Sequence, residues 1–190
     1  MSGEVAEGAL LFLPLFLGFV LHGLCIRFGL LRGLTVPIDR GATLGGRRLF
    51  GDSKTYRGLA CVGLGTALGF GLLSTLGDHS DFPHLDRLPS AGPASLLGLG
   101  VGVAAMLAEL PNSAVKRRLG ISPGSQARGI RGVVFHVLDQ IDVLFGAWPV
   151  LATRVPPSAA LVLGSVGFVY LGHQLITVVG YCLGMRAKAR

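Results

Sequence analysis

Two aspartates, Asp139 and Asp142, lie within residues 133–154, a segment that is otherwise apolar enough to cross a lipid bilayer. An ionised carboxylate in hydrocarbon costs several kcal/mol unless it is paired, bound to a cation or exposed to a water-filled cavity. Residues three apart on a helix are neighbours on its surface, and His136 precedes Asp139 by the same step. The spacing therefore predicts one polar notch inside the membrane, lined by these three side chains and serving a function.

The composition of the whole chain is that of a membrane protein with several spans. Of its 190 residues, 51% are hydrophobic and 14% are charged, and the mean hydropathy is +0.63. A helix needs about 20 apolar residues to cross the hydrocarbon. Five segments meet this need, at roughly Gly8–Ile26, Leu59–Leu76, Ala94–Leu110, Val133–Leu151 and Ala159–Leu183. We therefore expect an all-α polytopic integral membrane protein with a single transmembrane domain over residues 1–190.

The basic residues are concentrated on one side of this predicted bundle. Residues 27–58, residues 111–132 and the C-terminal tail hold fifteen of the seventeen Lys and Arg residues. Short cytoplasmic loops collect Lys and Arg, so we expect the N-terminus outside and the C-terminus in the cytoplasm, in the plasma membrane. Orientation and anionic lipids account for the net charge of +7, so no nucleic-acid partner is expected.

The first of these basic loops could bind phosphate. It is rich in glycine, hydroxyl and basic side chains, and Asp52 or Ser53 is the predicted N-cap of the helix that follows. Backbone N–H groups at the start of a helix, beside Lys54 and Arg57, favour an anion. The alternative is a solvated basic flank of a membrane helix, which needs no ligand.

A second polar group is predicted where the third helix leaves the membrane. One helical face would carry four polar residues at helical spacing, namely Glu109, Asn112, Ser113 and Lys116. Pro111 removes a backbone donor and predicts a kink or an end of the helix at Leu110. An interfacial belt of long polar side chains is the alternative to a binding site.

The depth of the aspartates connects them with both basic loops. Asp142 lies about 18 Å along a helix from Arg154, at 1.5 Å per residue, which places it in the cytoplasmic half of the bilayer. Magnesium commonly takes one or two protein carboxylates and completes its octahedron with water and phosphate oxygens. The arrangement therefore favours a site for a metal-chelated polyphosphate that faces the cytoplasm. A structural ion pair between an aspartate and a loop arginine is the alternative.

Three blocks of the chain together resemble the CDP-archaeol synthases, which are integral membrane CTP-transferases related to the phosphatidate cytidylyltransferases. The blocks follow the family's order and are Phe50–Gly58 (FGDSKTYRG), Glu109–Gly124 (ELPNSAVKRRLGISPG) and Leu138–Gly146 (LDQIDVLFG). The resemblance implies that a lipid phosphate monoester, such as an archaeol-type diether phosphate, attacks CTP to give a CDP-lipid and pyrophosphate.

The resemblance also implies roles for the matching residues. Asp139 and Asp142 would hold Mg²⁺ and, with Lys116, form the catalytic set. The substrate-binding set would be Asp52, Lys54, Arg57, Glu109, Asn112, Ser113 and Arg117. Within these sets, Lys116 and Arg117 would bind the triphosphate, and Glu109 would help to hold a second cation or a base.

Some residues depart from the family's pattern, and other functions stay open. Pro111, His136 and residues 125–132 have no counterpart in that pattern. The lipid could be a diether phosphate, phosphatidate or another isoprenoid phosphate. A CTP-dependent polyprenol kinase would present similar basic loops and intramembrane acids. A transporter or an inactive scaffold is the non-enzymatic alternative, although transport sites commonly lie at the midplane between repeated halves, and no internal repeat is visible here.

Overall fold

The computed structural model describes residues 2–77, 82–122 and 129–182. Five long helices follow one another in this part of the chain: α1 (Ser2–Arg27), α2 (Tyr56–Gly77), α3 (Ala91–Arg118), α4 (Gly129–Leu151) and α5 (Ala159–Cys182). All five are long and apolar enough to cross a membrane. The prediction of an all-α membrane protein with five spans is therefore confirmed.

The helices pack side by side in the order α5, α1, α2, α3 and α4. α3 packs mainly against α2 and α4, whereas α1 packs against α2 and α5, and α4 and α5 touch only slightly. We call the end that carries residues 28–55 and the α3–α4 connection the basic end. The end that carries residues 82–90 and 152–158 is the opposite end. The acidic pair of α4 lies toward the basic end.

Glycines allow the helices to approach closely. A Cβ atom placed on Gly146 of α4 would lie 2.0 Å from the backbone oxygen of Ala104 in α3, and one on Gly164 of α5 would lie 2.0 Å from the backbone oxygen of Val5 in α1. No side chain larger than hydrogen fits at such distances. Small residues at helix interfaces are typical of membrane bundles, where packing rather than hydrophobic burial drives association.

Several helix ends differ from the prediction. α3 does not end at Leu110 but continues through Pro111 to Arg118, because one proline removes a single N–H from the ladder of a long, packed helix. The N-cap of α2 is neither Asp52 nor Ser53. Thr55 takes that position, and its Oγ1 accepts a hydrogen bond from the Gly58 N–H at 3.3 Å. α4 begins at Gly129, one turn before the predicted start.

The loop between α1 and α2 has a fold of its own, which the sequence did not predict. It contains a two-stranded antiparallel hairpin, β1 (Thr43–Leu44) and β2 (Arg47–Arg48). Asp39 organises this loop with a fully buried carboxylate that accepts hydrogen bonds from the Gly41, Phe50 and Gly51 N–H groups at 3.0–3.1 Å. Arg48 Nη2 donates to the same carboxylate at 2.6 Å.

Asp39 is ionised under ordinary conditions. Burial alone would raise the pKa of Asp39, but Arg48 and the three N–H donors outweigh burial and hold this pKa well below its ordinary value of 3.8. A carboxylate with a lowered pKa stabilises the folded state above its unfolded pKa, and that contribution is lost as the pH falls through the folded pKa. The contribution of Asp39 should therefore be constant from about pH 5 to pH 8.

We expect Asp39→Asn to open the loop over residues 28–55. Each hydrogen bond to a charged group contributes about 1.5–3 kcal/mol, so losing even one raises the open population roughly tenfold. The measurement is the rate of limited trypsin cleavage within the loop in detergent. Asp52→Asn is the matched control, because it removes only the exposed ion pair of Arg48 with Asp52. Equal cleavage rates in the two variants would show that Asp39 does not organise the loop.

Candidate active site

Asn112 of α3 joins the two aspartates of α4. Its Nδ2 donates to Asp139 Oδ1 at 2.8 Å and to Asp142 Oδ2 at 2.9 Å. This contact is possible because α3 continues past Pro111 and runs antiparallel to α4 at close range. The two carboxylates therefore share one donor and lie on the same side of α4, as their spacing predicted.

Two lysines neutralise the acids of this cluster. Lys116 Nζ makes a salt bridge with Asp139, and Lys54 Nζ, from the loop before α2, makes a salt bridge with Glu109 of α3. Burial alone would lower the pKa of Lys54, but the Glu109 carboxylate outweighs it, with help from Asp142 and Asp139, and raises this pKa above its ordinary value. The Lys54 ammonium is therefore charged, and both lysine side chains lie close to the acids of the cluster.

Among the described residues, neither aspartate is paired with an arginine. Asp139 keeps 32% of its side chain exposed, whereas Asp142 is buried with a residue exposure of 6%. Asp142 Oδ1 and Asn112 Oδ1 are buried and have no hydrogen-bond partner in the part of the chain that the structure describes. Unsatisfied buried acceptors of this kind are costly and point to a missing cation or donor.

These oxygens fit a magnesium ion better than a transition metal. Two carboxylates and an amide oxygen are hard ligands, which Mg²⁺ prefers. Within the described ranges, no three His, Cys, Asp or Glu residues are grouped closely enough to hold a metal by themselves. That is compatible with Mg²⁺, because this ion commonly uses one or two carboxylates and takes the rest of its shell from water and phosphate.

Arginines surround a cavity at the basic end. The hairpin docks on the end of α3, where Arg47 Nη1 donates to the Arg118 carbonyl at 2.6 Å and Arg118 donates to the Leu44 carbonyl. The cavity between the hairpin and the end of α3 has a volume of about 350 Å³. It is lined by Arg47, Arg48, Arg117, Gly120, Ile121 and Ser122. Arg117 donates to the Ile121 carbonyl, and its buried Nε has no partner within the described residues. Such a pocket suits a polyanion.

A histidine that the sequence analysis did not single out also belongs to this region. His22 of α1 lies against Gly58 at the start of α2, and a Cβ atom there would be 3.3 Å from His22 Cε1. It is within electrostatic range of Arg57, Glu109 and Lys54. A single histidine in an apolar run carries no spacing signal, so only the packing of α1 against α2 reveals it.

Comparison with known proteins identifies the family of this chain. The model of the family described as CarS-like, CDP-archaeol synthase, matches residues 10–189. The chain belongs to this family. It is 35% identical to a CDP-archaeol synthase of Halobacterium salinarum over 159 residues, covering 79% of this chain and 81% of that protein. It is 28% identical to a CDP-archaeol synthase of Methanosarcina mazei over 166 residues, covering 80% and 89%.

A solved structure shares the fold. It is described as an intramembrane enzyme for archaeal membrane lipid biosynthesis, and the two chains superpose with a TM-score of 0.65 at 25% sequence identity. The match covers 92% of this chain and 94% of the solved chain. The resemblance that rested on three sequence blocks therefore extends over nearly the whole protein.

Most residues that the family resemblance selected meet in one place. Glu109, Asn112 and Lys116 face the aspartates from α3, with Ser113 buried beside them, and Lys54 reaches them from the first loop. Arg117 borders the cavity, and the buried Nε of Arg57 has no partner among the described residues. The roles of these residues stay predictions.

Two residues make contacts outside the cluster. Asp52 has a side chain that is 74% exposed, and it pairs with Arg48 at 2.7 Å rather than with the acidic cluster. Its predicted contact with substrate stays a prediction. His136 was expected to line the same notch as Asp139, and this stays a prediction. Its Nε2 lies 3.3 Å from Gln174 Nε2 of α5.

Proposed function

We propose that this protein is a CTP-dependent cytidylyltransferase that converts a membrane lipid phosphate, of the archaeol diether type, into its CDP-lipid. A phosphate oxygen of the lipid attacks the α-phosphorus of CTP, the bond to the β-phosphate breaks, and pyrophosphate leaves. The observation that supports this most directly is the paired carboxylates on α4, joined by Asn112 and flanked by Lys116 and Lys54, in a chain of the CDP-archaeol synthase family.

The lysines are held ready for phosphate. Lys116 pairs with Asp139 and Lys54 pairs with Glu109, so neither ammonium group has to be ordered when substrate arrives. Phosphate oxygens would then compete with these carboxylates for the lysines. Cations that are already in position stabilise the negative charge that develops on the leaving group. They lower the activation barrier because the site does not have to reorganise during the reaction. Arg117 and the arginine-lined cavity would receive the far end of the triphosphate.

The acids then become available to a cation. Asp139, Asp142 and the unpartnered Asn112 oxygen would hold Mg²⁺, which when bound supplies charge neutralisation to the triphosphate and to the departing pyrophosphate. The protein needs no nucleophile of its own, since the lipid phosphate provides the attacking oxygen. Its contribution is to align two anions that would otherwise repel each other.

We place the basic end in the cytoplasm of a cell whose plasma membrane the protein spans. The loops at this end hold most of the Lys and Arg residues, as cytoplasmic loops do. CTP is a cytoplasmic nucleotide, and a site at this end is within its reach. The lipid phosphate would be supplied by the surrounding membrane.

The test is an assay of the purified protein in detergent with CTP, Mg²⁺ and a diether lipid phosphate. We expect release of pyrophosphate together with a CDP-lipid, and little of either with CTP alone. Phosphatidate and polyprenol serve as alternative acceptors. Release of CDP with a phosphorylated polyprenol would instead identify a kinase. If calorimetry detects no CTP binding with or without Mg²⁺, the proposal is wrong and a non-enzymatic role is favoured.

A further inference from the structure

The contact between α4 and α5 is the weakest between neighbouring helices of the bundle. α4 packs along α3, whereas it touches α5 only slightly. Near the opposite end, Trp148 Nε1 donates to Ser165 Oγ at 2.9 Å and holds the two helices together. Near the basic end, His136 Nε2 of α4 lies 3.3 Å from Gln174 Nε2 of α5. We call the contact between these two helices the α4–α5 seam.

His136 lies on α4 between the acidic face and the face exposed to lipid. At about 100° per residue, it is about 60° around the helix from Asp139. Farther around the helix from Asp139, beyond His136, the residues are exposed and apolar. Ile130 is 84% exposed, Val133 65% and Val137 42%. A molecule that moves from the membrane to Asp139 across this side of α4 must therefore pass His136.

Gln140 adds a second polar side chain on this side of α4. It follows His136 by four residues, so the two are neighbours on one helix face. Gln140 is buried, with 9% of its surface exposed, and its Oε1 has no hydrogen-bond partner in the described part of the chain. A buried amide oxygen inside a membrane bundle without a partner is unfavourable and implies a ligand or water that completes it.

We propose that the α4–α5 seam at the basic end is the lateral passage by which the lipid phosphate reaches the acidic pair. Gln140, His136 and Gln174 bind its polar glycerol-phosphate region on the way. This inference rests on the proposed function and names the route and the contacts of its lipid substrate. The His136–Gln174 link acts as a latch that opens when the lipid enters.

The chemistry of these side chains suits the ligand. A glutamine amide can present either its oxygen or its NH₂ group, so Gln140 and Gln174 can donate to ether, ester or phosphate oxygens and can accept from a phosphate hydroxyl. The hydrocarbon chains would stay on the exposed side of α4, against Ile130, Val133 and Val137. The phosphate would then lie next to Asp139, whose side chain is partly exposed.

The first test is Gln140→Leu, which keeps the size of the side chain and removes its polar atoms. We expect KM for the lipid phosphate to rise at least tenfold, with KM for CTP and the calorimetric affinity for CTP with Mg²⁺ unchanged. The matched control is Ser165→Ala at the far end of the same seam, for which lipid KM should stay unchanged. An unchanged lipid KM in Gln140→Leu, or an equal rise in the Ser165→Ala control, would overturn the assignment.

The second test closes the seam. In a background without native cysteines, His136→Cys is combined with Gln174→Cys, and the same preparation is assayed after oxidation and after reduction, with bond formation verified by mass spectrometry. We expect lipid turnover to fall more than tenfold in the cross-linked form, to return on reduction, and CTP binding to persist throughout. Full turnover in the cross-linked form would exclude this passage. Loss of CTP binding already in the unmodified protein would instead contradict the proposed function.

Discussion

Replacing Asp142 by asparagine is expected to reduce pyrophosphate release by at least about 10³-fold while the protein stays folded. Asp142 is buried beside Asp139, shares Asn112 with it and keeps one carboxylate oxygen without a partner in the described structure. Asparagine has the same shape but lacks the charge that a divalent cation needs. A metal that neutralises phosphate charge stabilises the transition state by several kcal/mol, and each 1.36 kcal/mol corresponds to a factor of about ten in rate.

The same loss is expected for Asp139→Asn, with one difference. Asp139 also pairs with Lys116. Its replacement therefore releases the Lys116 side chain as well, which should then be less well ordered. The measurements are pyrophosphate release and the calorimetric affinity for CTP with Mg²⁺, with the thermal midpoint as a check of folding. Asp86→Asn, an exposed aspartate at the opposite end, is the matched control. Full activity in either site variant would remove the magnesium assignment.

Gly146→Ala is expected to move α3 and α4 apart and to lower the activity, although Gly146 lies one helical turn from Asp142. The added Cβ atom would lie 2.0 Å from the backbone oxygen of Ala104, and a backbone cannot move aside as a flexible side chain can. Overpacking of this kind costs about 1–3 kcal/mol, or about 2–12 °C in the thermal midpoint for a protein of this size. Because Asp142 precedes Gly146 by one helical turn, its distance from Asn112 should increase. A displacement of about 1 Å at a reacting centre can cost about 100-fold in rate.

Gly167→Ala provides a matched comparison on α5. A Cβ atom at Gly167 meets nothing within 4 Å, so the same methyl group is added to open space. We expect the thermal midpoint and the activity of this variant to stay close to the unsubstituted protein. The measurements are thermal unfolding in detergent and pyrophosphate release. If both glycine variants behave alike, helix separation at Gly146 does not control the geometry of the acidic pair.

Much of the architecture could be predicted because a bilayer constrains a chain strongly. A segment that crosses hydrocarbon must satisfy its backbone polar groups internally, so five apolar runs imply five helices. Helical spacing also predicted that Glu109, Asn112 and Lys116 share one face and that Asp139 and Asp142 share another. The structure brings these two faces together through Asn112 and Lys116.

The loops and helix ends were harder to predict because their structure depends on contacts that are distant in sequence. Asp39 is a single acid in a glycine-rich loop, and only the folded loop places the Phe50 and Gly51 N–H groups around it. Pro111 was expected to disturb α3, but a proline costs one hydrogen bond, which the packing of a long helix offsets.

By itself, the sequence determined the five spans, the concentration of basic residues at one end and the sets of polar residues that share a helix face. These properties depend on local composition and on the period of the helix, which any folded form must respect. The tertiary structure decided which faces meet. It joined Asp139 and Asp142 to α3, turned His136 toward Gln174 and brought His22 to the basic end, because side chains on different helices become neighbours only through packing.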